Sequence, residues 1–233
     1  MNVVMQSEHI DKALVSLAAP DSFAAEQYRG LRLKIERLQR TRGLRVLAVT
    51  SPGVNDGKTV TSINLAAAFA HRAGARVLLI DADLRRPAVQ KYLGLDEADG
   101  LGLAGALGDE RIELRQVVRQ VGGTSTLSVM PAGSTPRAVH ELLESPRFDS
   151  LLREAREQYD LVILDTPPLV PVFDAVVLSR LVDGLLIVVA AHETPRKQLE
   201  EALNLLDESK VLGIVFNGDN AALTGRYDKY YQR

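Results

Sequence analysis

The chain has 233 residues, of which 46% are hydrophobic and 25% charged, with a net charge of −2. It holds no cysteine, which excludes disulfides and thiol chemistry and fits a reducing compartment. So small a net charge gives no bulk field to attract nucleic acid or an anionic membrane, and His9, His71, His140 and His192 are scattered without metal-ligand spacing.

In chain order, Met1 to about Pro20 shows little organisation and reads as a mobile segment (1–20). Asp21 or Ser22 caps a helix predicted over Phe23–Arg40. Short apolar runs follow at Leu44–Thr50, Arg76–Asp83, Leu127–Ala132, Asp160–Pro167, Gly184–Ala190 and Val211–Asn217. They lack polar alternation, as parallel strands buried on both faces do. Helical stretches alternate with them at Thr59–Arg72, Ser145–Gln158, Asp174–Leu181 and Pro195–Asp207. This alternation implies a single α/β domain over 21–217, a mostly parallel sheet flanked by helices. The segment 218–233 is polar, carries tyrosines and reads as a flexible tail. No apolar run approaches the ~20 residues that span a bilayer, and no charged-then-apolar leader opens the chain. The expectation is a soluble cytoplasmic chain that reaches a membrane only through a partner.

The stretch Thr50–Thr59, TSPGVNDGKT, ends like the phosphate-binding loop G-x-x-x-x-G-K-[ST], with Pro52 in place of the first glycine. It follows a buried strand and opens a helix, so backbone N–H groups and the positive end of the helix dipole converge on one point. On this reading Gly53, Val54, Asn55, Asp56, Gly57, Lys58, Thr59 and Val60 cradle the phosphates of a nucleotide. Gly57 allows close approach, and Asn55 tolerates a left-handed turn where a second glycine often sits. Lys58 reaches the β- and γ-phosphates, and Thr59 offers a hydroxyl to Mg²⁺. Two other strands end in carboxylates: Asp81 and Asp83 in VLLIDADLRRP, and Asp165 in LVILDTPP. Alone, each aspartate reads as a turn or cap residue. Ligands of open α/β sheets bind at the carboxyl ends of strands. Beside a GKT loop, Thr59, Asp81, Asp83 and Asp165 therefore become candidate holders of a magnesium nucleotide, directly or through water.

These stretches resemble the bacterial tyrosine kinases, the P-loop autokinases of polysaccharide synthesis and export, from about Glu26 to the end. In that family the loop commonly begins with Ala or Pro, as at Pro52. LLIDADLRRP resembles the family's second aspartate motif and ILDTPP its Walker B strand. MPAGSTPRAVHELLESPRF resembles its segment from P-A-G to E-L-L-x-S. EQYRGLR, with Glu26, Arg29 and Arg32, resembles the E-x-x-R-x-x-R assembly helix, here within 22–40. RYDKYYQR resembles the autophosphorylated terminal cluster, with Tyr227, Tyr230 and Tyr231 as acceptors. The departures are Val54-Asn55-Asp56-Gly57 for P-G-E-G, Pro136-Arg137-Ala138-Val139 for P-P-N-P, and a short tyrosine cluster.

The resemblance implies ATP and Mg²⁺ as cofactors and a homo-oligomeric ring. It also implies activation by a membrane-embedded polysaccharide co-polymerase adaptor, encoded separately or lost from an excised domain. The implied activity is tyrosine autophosphorylation in trans, regulating exopolysaccharide or capsule synthesis. A tyrosine hydroxyl titrates near pH 10, so a carboxylate must take its proton; Asp81 is the first choice and Asp83 the second, alongside Lys58 as the catalytic cation. Arg85 and Arg86 either clamp phosphate, meet the tail, or form a solvated turn. By resemblance, Asn217 reads the adenine edge; by residue type it equally suits a turn. Two other functions fit the same fold: a partitioning or septum-positioning ATPase, and a non-catalytic nucleotide-binding scaffold. The first carries a K-G-G-x-G-K signature lysine, and Gly53 stands in its place here.

Overall fold

The computed structural model describes residues 2–3, 10–95, 100–121 and 127–219. Its single sheet contains β1 (Asn2–Val3), β2 (Val46–Thr50), β3 (Val77–Asp81), β4 (Arg119–Val121), β5 (Leu127–Met130), β6 (Leu161–Asp165), β7 (Gly184–Ala190) and β8 (Val211–Asn217). The spatial order is β1-β4-β5-β3-β6-β2-β7-β8, and only the β4–β5 pair is antiparallel. Each apolar run of the sequence reading contributes a strand. The two added strands, β1 and β4, are too short to carry an apolar pattern.

Side chains alternate across this sheet into two cores. Val46, Ala48, Leu78, Ile80, Val162 and Leu164 point to one side. There they meet α5 (Leu103–Gly108), α6 (Leu114–Val117), α7 (Val139–Leu143), α8 (Pro146–Gln158), α9 (Asp174–Leu181) and α10 (Arg196–Asn204). Leu47, Val49, Val77, Leu79 and Ile163 point to the other. That core is closed by α2 (Phe23–Arg42), α3 (Lys58–Ala70), α4 (Val89–Tyr92) and the short α1 (Val15–Ala18). Burial on both faces is the reason the strands read as continuous apolar runs.

Ser22 is the cap of α2: its Oγ accepts from the Ala25 N–H at 3.2 Å, and Gly43 closes the helix in a left-handed turn. Helix α3 is buried almost all round, which explains its alanine run: small side chains let α1 and α2 approach on one side and the sheet on the other.

The expected mobile segment 1–20 needs correction over its described part. Leu14 is fully buried, and Asn64 of α3 holds this stretch at both ends. The Asn64 Oδ1 accepts from Ser16 N–H at 2.8 Å and its Nδ2 donates to the Ala13 carbonyl at 2.9 Å. His71 Nε2 lies 2.8 Å from the Ser16 carbonyl. Among the described residues no helix is long and apolar enough to cross a membrane. The tail from residue 220 onward, with Tyr227, Tyr230 and Tyr231, lies outside the described residues.

Candidate active site

The loop between β2 and α3 sits at the carboxyl edge of the sheet, beside the ends of β3 and β6. Hydrogen bonds from Thr166 Oγ1 to the Val49 carbonyl (3.0 Å) and from Thr50 Oγ1 to the Pro167 carbonyl (2.8 Å) lock the strand ends together. The loop then turns through two left-handed residues, Asn55 at φ 66° and Gly57 at φ 95°. A β-carbon on Gly57 would fall 1.9 Å from Asn217 Nδ2, so both backbone and space demand glycine there.

The structure brings the predicted site residues together. Lys58 Nζ donates to Asp83 Oδ2 at 2.9 Å. Thr59 Oγ1 donates to Asp165 Oδ2 at 2.7 Å, and Ser62 Oγ donates to Asp165 Oδ1 at 3.0 Å. Asp81 lies directly opposite Asp165 on the adjacent strand. Ser62, three residues beyond Thr59 on the same helix face, is a partner that sequence reasoning missed; its only signal is a hydroxyl on the inner side of an apolar helix.

Asp81 and Asp83 differ sharply. Asp81 is fully buried. Its Oδ2 accepts from the N–H groups of Ala88 and Val89, both at 3.0 Å, and its Oδ1 from Asp83 N–H at 3.3 Å. In this arrangement it pins the chain after β3. Asp83 Oδ1 accepts from Arg86 N–H at 3.0 Å, whereas the described hydrogen bond to its Oδ2 comes from the Lys58 side chain.

Electrostatics follow from three nearly buried carboxylates around one lysine. Burial, reinforced by the charge of Asp165, pushes Asp81 up to about 8. Burial also raises Asp165, although Lys58 and the hydroxyls of Thr59 and Ser62 oppose it. For Lys58, burial alone would lower the pKa, but the combined pull of Asp165, Asp83 and Asp81 holds it above its ordinary value. The site is thus short of positive charge, which fits a divalent cation arriving with a nucleotide. Among the described residues no group of three or more His, Cys, Asp or Glu forms a protein-only metal cage.

The remaining predicted residues are placed as follows. Val54 is exposed at the loop tip and Val60 is half-buried on the first turn of α3. Asp56 is buried and its Oδ2 accepts from Gly53 N–H. Asn217 Nδ2 donates to the Asp56 carbonyl at 3.2 Å. Arg85 is committed to the buried carboxylate of Asp174, and Arg86 is exposed. Glu26 and Arg29 pair with each other on α2, and Arg32 pairs with Glu36 at 2.9 Å. Arg29 and Arg32 line a cleft of about 390 Å³ with His71 and Arg72, apart from the phosphate loop.

A phosphate loop at the carboxyl edge of a parallel sheet, with strand-end carboxylates beside it, defines a P-loop nucleotide-binding protein. Residues 45–211 match the AAA domain family. The chain is 34% identical over 227 residues to Tyrosine-protein kinase YwqD of Bacillus subtilis (strain 168), covering 97% of this chain and 94% of that protein. It is 33% identical to Succinoglycan biosynthesis transport protein ExoP of Rhizobium meliloti (strain 1021), over 91% of this chain but only 27% of ExoP. The solved kinase domain of Escherichia coli tyrosine kinase ETK superposes with a TM-score of 0.81 at 31% identity, over 88% of this chain and 79% of that one. The chain belongs to the bacterial tyrosine-protein kinase family.

Proposed function

We propose that this protein is an ATP-dependent tyrosine autokinase acting in exopolysaccharide or capsule synthesis, and that it phosphorylates Tyr227, Tyr230 and Tyr231 of a neighbouring copy. The observation that carries the reading is the convergence of Lys58, Thr59, Asp83 and Asp165 where the phosphate loop enters α3. Likeness to YwqD over almost its whole length, and to ExoP over its matching part, supports the choice of acceptor and process.

Thr59 and Asp165 are the residues that would hold Mg²⁺; when bound it would neutralise charge on the phosphate oxygens. Lys58 leaves Asp83 to meet the β- and γ-phosphates. This exchange frees Asp83 Oδ2, which then accepts the tyrosine proton as the hydroxyl attacks. Asp81, with its oxygens held by backbone N–H groups, positions the Asp83 turn. The γ-phosphoryl moves from ATP to the tyrosine oxygen, ADP is the leaving group, and the proton moves to Asp83. Asn217, which holds the Asp56 carbonyl through its Nδ2, is assigned the adenine edge by the likeness to the family.

Truncation after Thr224 is expected to remove most incorporated phosphate and leave nucleotide affinity within about twofold, because the residues assigned to the nucleotide all precede it. Mass-spectrometric mapping of the phosphosites checks this. Label concentrated on Tyr28, Tyr92 or Tyr159 would rule the tail out as acceptor.

Reaching a neighbour's site requires assembly, and the reading assigns this to the α2 face bearing Glu26, Arg29 and Arg32, with a membrane-embedded co-polymerase adaptor as the activating partner. A head-to-tail contact closes a ring when its rotation permits. Each exposed pair contributes only ~0–1 kcal/mol, so joint loss is the informative change. The triple variant Glu26→Ala, Arg29→Ala, Arg32→Ala is expected to be a folded monomer that binds nucleotide but phosphorylates itself poorly when dilute. Light scattering of unphosphorylated protein decides the matter. A wild type that stays monomeric at high concentration with its adaptor present would reduce this face to ordinary surface.

A further inference from the structure

The phosphate loop is held by residues well over a hundred positions away. Asp56 is 6% exposed. Its Oδ2 accepts from the Gly53 N–H at 2.8 Å, and its Oδ1 accepts from the Thr194 hydroxyl, also at 2.8 Å. The Thr194 oxygen in turn accepts from the Ala190 N–H at the end of β7, at 2.9 Å. The proton order in this chain is fixed by chemistry. The amide can only donate and the carboxylate only accepts, so the hydroxyl must give its single proton to Asp56. Asn217 Nδ2 holds the carbonyl of the same residue at 3.2 Å. Gln198 closes the remaining side: a β-carbon on Gly53 would lie 2.7 Å from its Nε2.

A carboxylate inside a loop meant for polyphosphate is a liability, because like charges within a few ångströms repel. Here both carboxylate oxygens are engaged, one by the Gly53 N–H and one by Thr194, the side chain from outside the loop that donates to it. We propose that Thr194 is a positioning residue for nucleotide binding. It turns the Asp56 carboxylate away from the phosphates and, through Asp56 and the Gly53 N–H, presets the loop before nucleotide arrives. This inference rests on the nucleotide reading above. Thr194 touches neither nucleotide nor acceptor; it acts through Asp56.

The test is the affinity of the intact protein for a non-hydrolysable ATP analogue with Mg²⁺, measured by calorimetry, together with ATP kinetics. Thr194→Val keeps the shape and removes the hydroxyl. It is expected to weaken analogue binding by about ten-fold or more, the scale of a lost hydrogen bond to a charged group. KM for ATP should rise by more than kcat falls. Thr194→Ser restores the hydroxyl and is expected to bind within about twofold of wild type. Asp56→Ala removes the charge that Thr194 controls, so adding Thr194→Val to it should weaken binding no further. Three results would each overturn the proposal: Thr194→Val binding within twofold of wild type, Thr194→Ser as weak as Thr194→Val, or additive losses in the double variant. Failure of the wild type to bind the analogue is a different outcome, which removes the nucleotide reading and this inference with it.

Discussion

Lys58→Met is expected to lower autophosphorylation by at least ~10²-fold while the protein still folds. Met is unbranched and close to the Lys stem in shape, so the change removes a charge and its donors with little change in packing. Hydrogen bonds to charged groups contribute about 1.5–3 kcal/mol each. Donors aimed at developing charge are typically worth ~10²–10³ in rate. In the resting site Lys58 also balances Asp83, at 2.9 Å, with Asp165 and Asp81 close by. Its loss leaves carboxylates short of a cation, and they respond by binding protons more tightly. The sign follows: a folded carboxyl with a raised pKa favours the folded state at low pH and loses that contribution as pH rises through the folded value. The variant should therefore lose more melting temperature relative to wild type at pH 8 than at pH 6. Activity within ten-fold of wild type would remove Lys58 from the chemistry.

The second large effect separates the two aspartates after β3. Asp83→Asn is expected to slow transfer by ~10²–10⁴-fold, the usual scale of a general base, with analogue binding retained. Asp81→Asn is expected to act on stability instead. Its carboxylate oxygens face three backbone N–H donors, and an amide nitrogen would meet at least one of them. A buried donor left without an acceptor costs about 1–3 kcal/mol. Melting curves and transfer rates of both variants decide the assignment. A fully stable, nucleotide-binding Asp81→Asn without activity, beside an active Asp83→Asn, would give the proton to Asp81.

The contrast between these aspartates also marks what the sequence could and could not reveal. Strand-end position put Asp81, Asp83 and Asp165 at the same edge, because buried parallel strands announce themselves as apolar runs that end in polar residues. Which carboxylate is tied to backbone depends on the turn through Ala88 and Val89, and no period in the sequence encodes that turn. Strand-end position puts Asp81 first as base, whereas its oxygens are taken by backbone N–H groups and Asp83 Oδ2 meets the Lys58 side chain.

Asn64 tells a similar story for the fold. A single polar residue in an alanine-rich helix carries no visible pattern, yet it anchors residues 13–16 to α3, where composition had suggested a loose arm. Between β3 and β6 the helices α4 to α7 are each four to six residues long, too short for helical periodicity to register. The Thr194–Asp56 contact joins loops 138 positions apart, and its only sequence trace is an acidic residue inside a phosphate loop.

The central claim is that the γ-phosphoryl goes to tyrosine. The most direct measurement incubates the protein with γ-labelled ATP and Mg²⁺ and follows the label into protein phosphotyrosine and into free phosphate. The account predicts label on tyrosine of the protein, dependent on Lys58 and rising with protein concentration as transfer between copies requires. Label released only to water, with no phosphotyrosine at any protein concentration, would contradict it and leave a nucleotide hydrolase on the same fold.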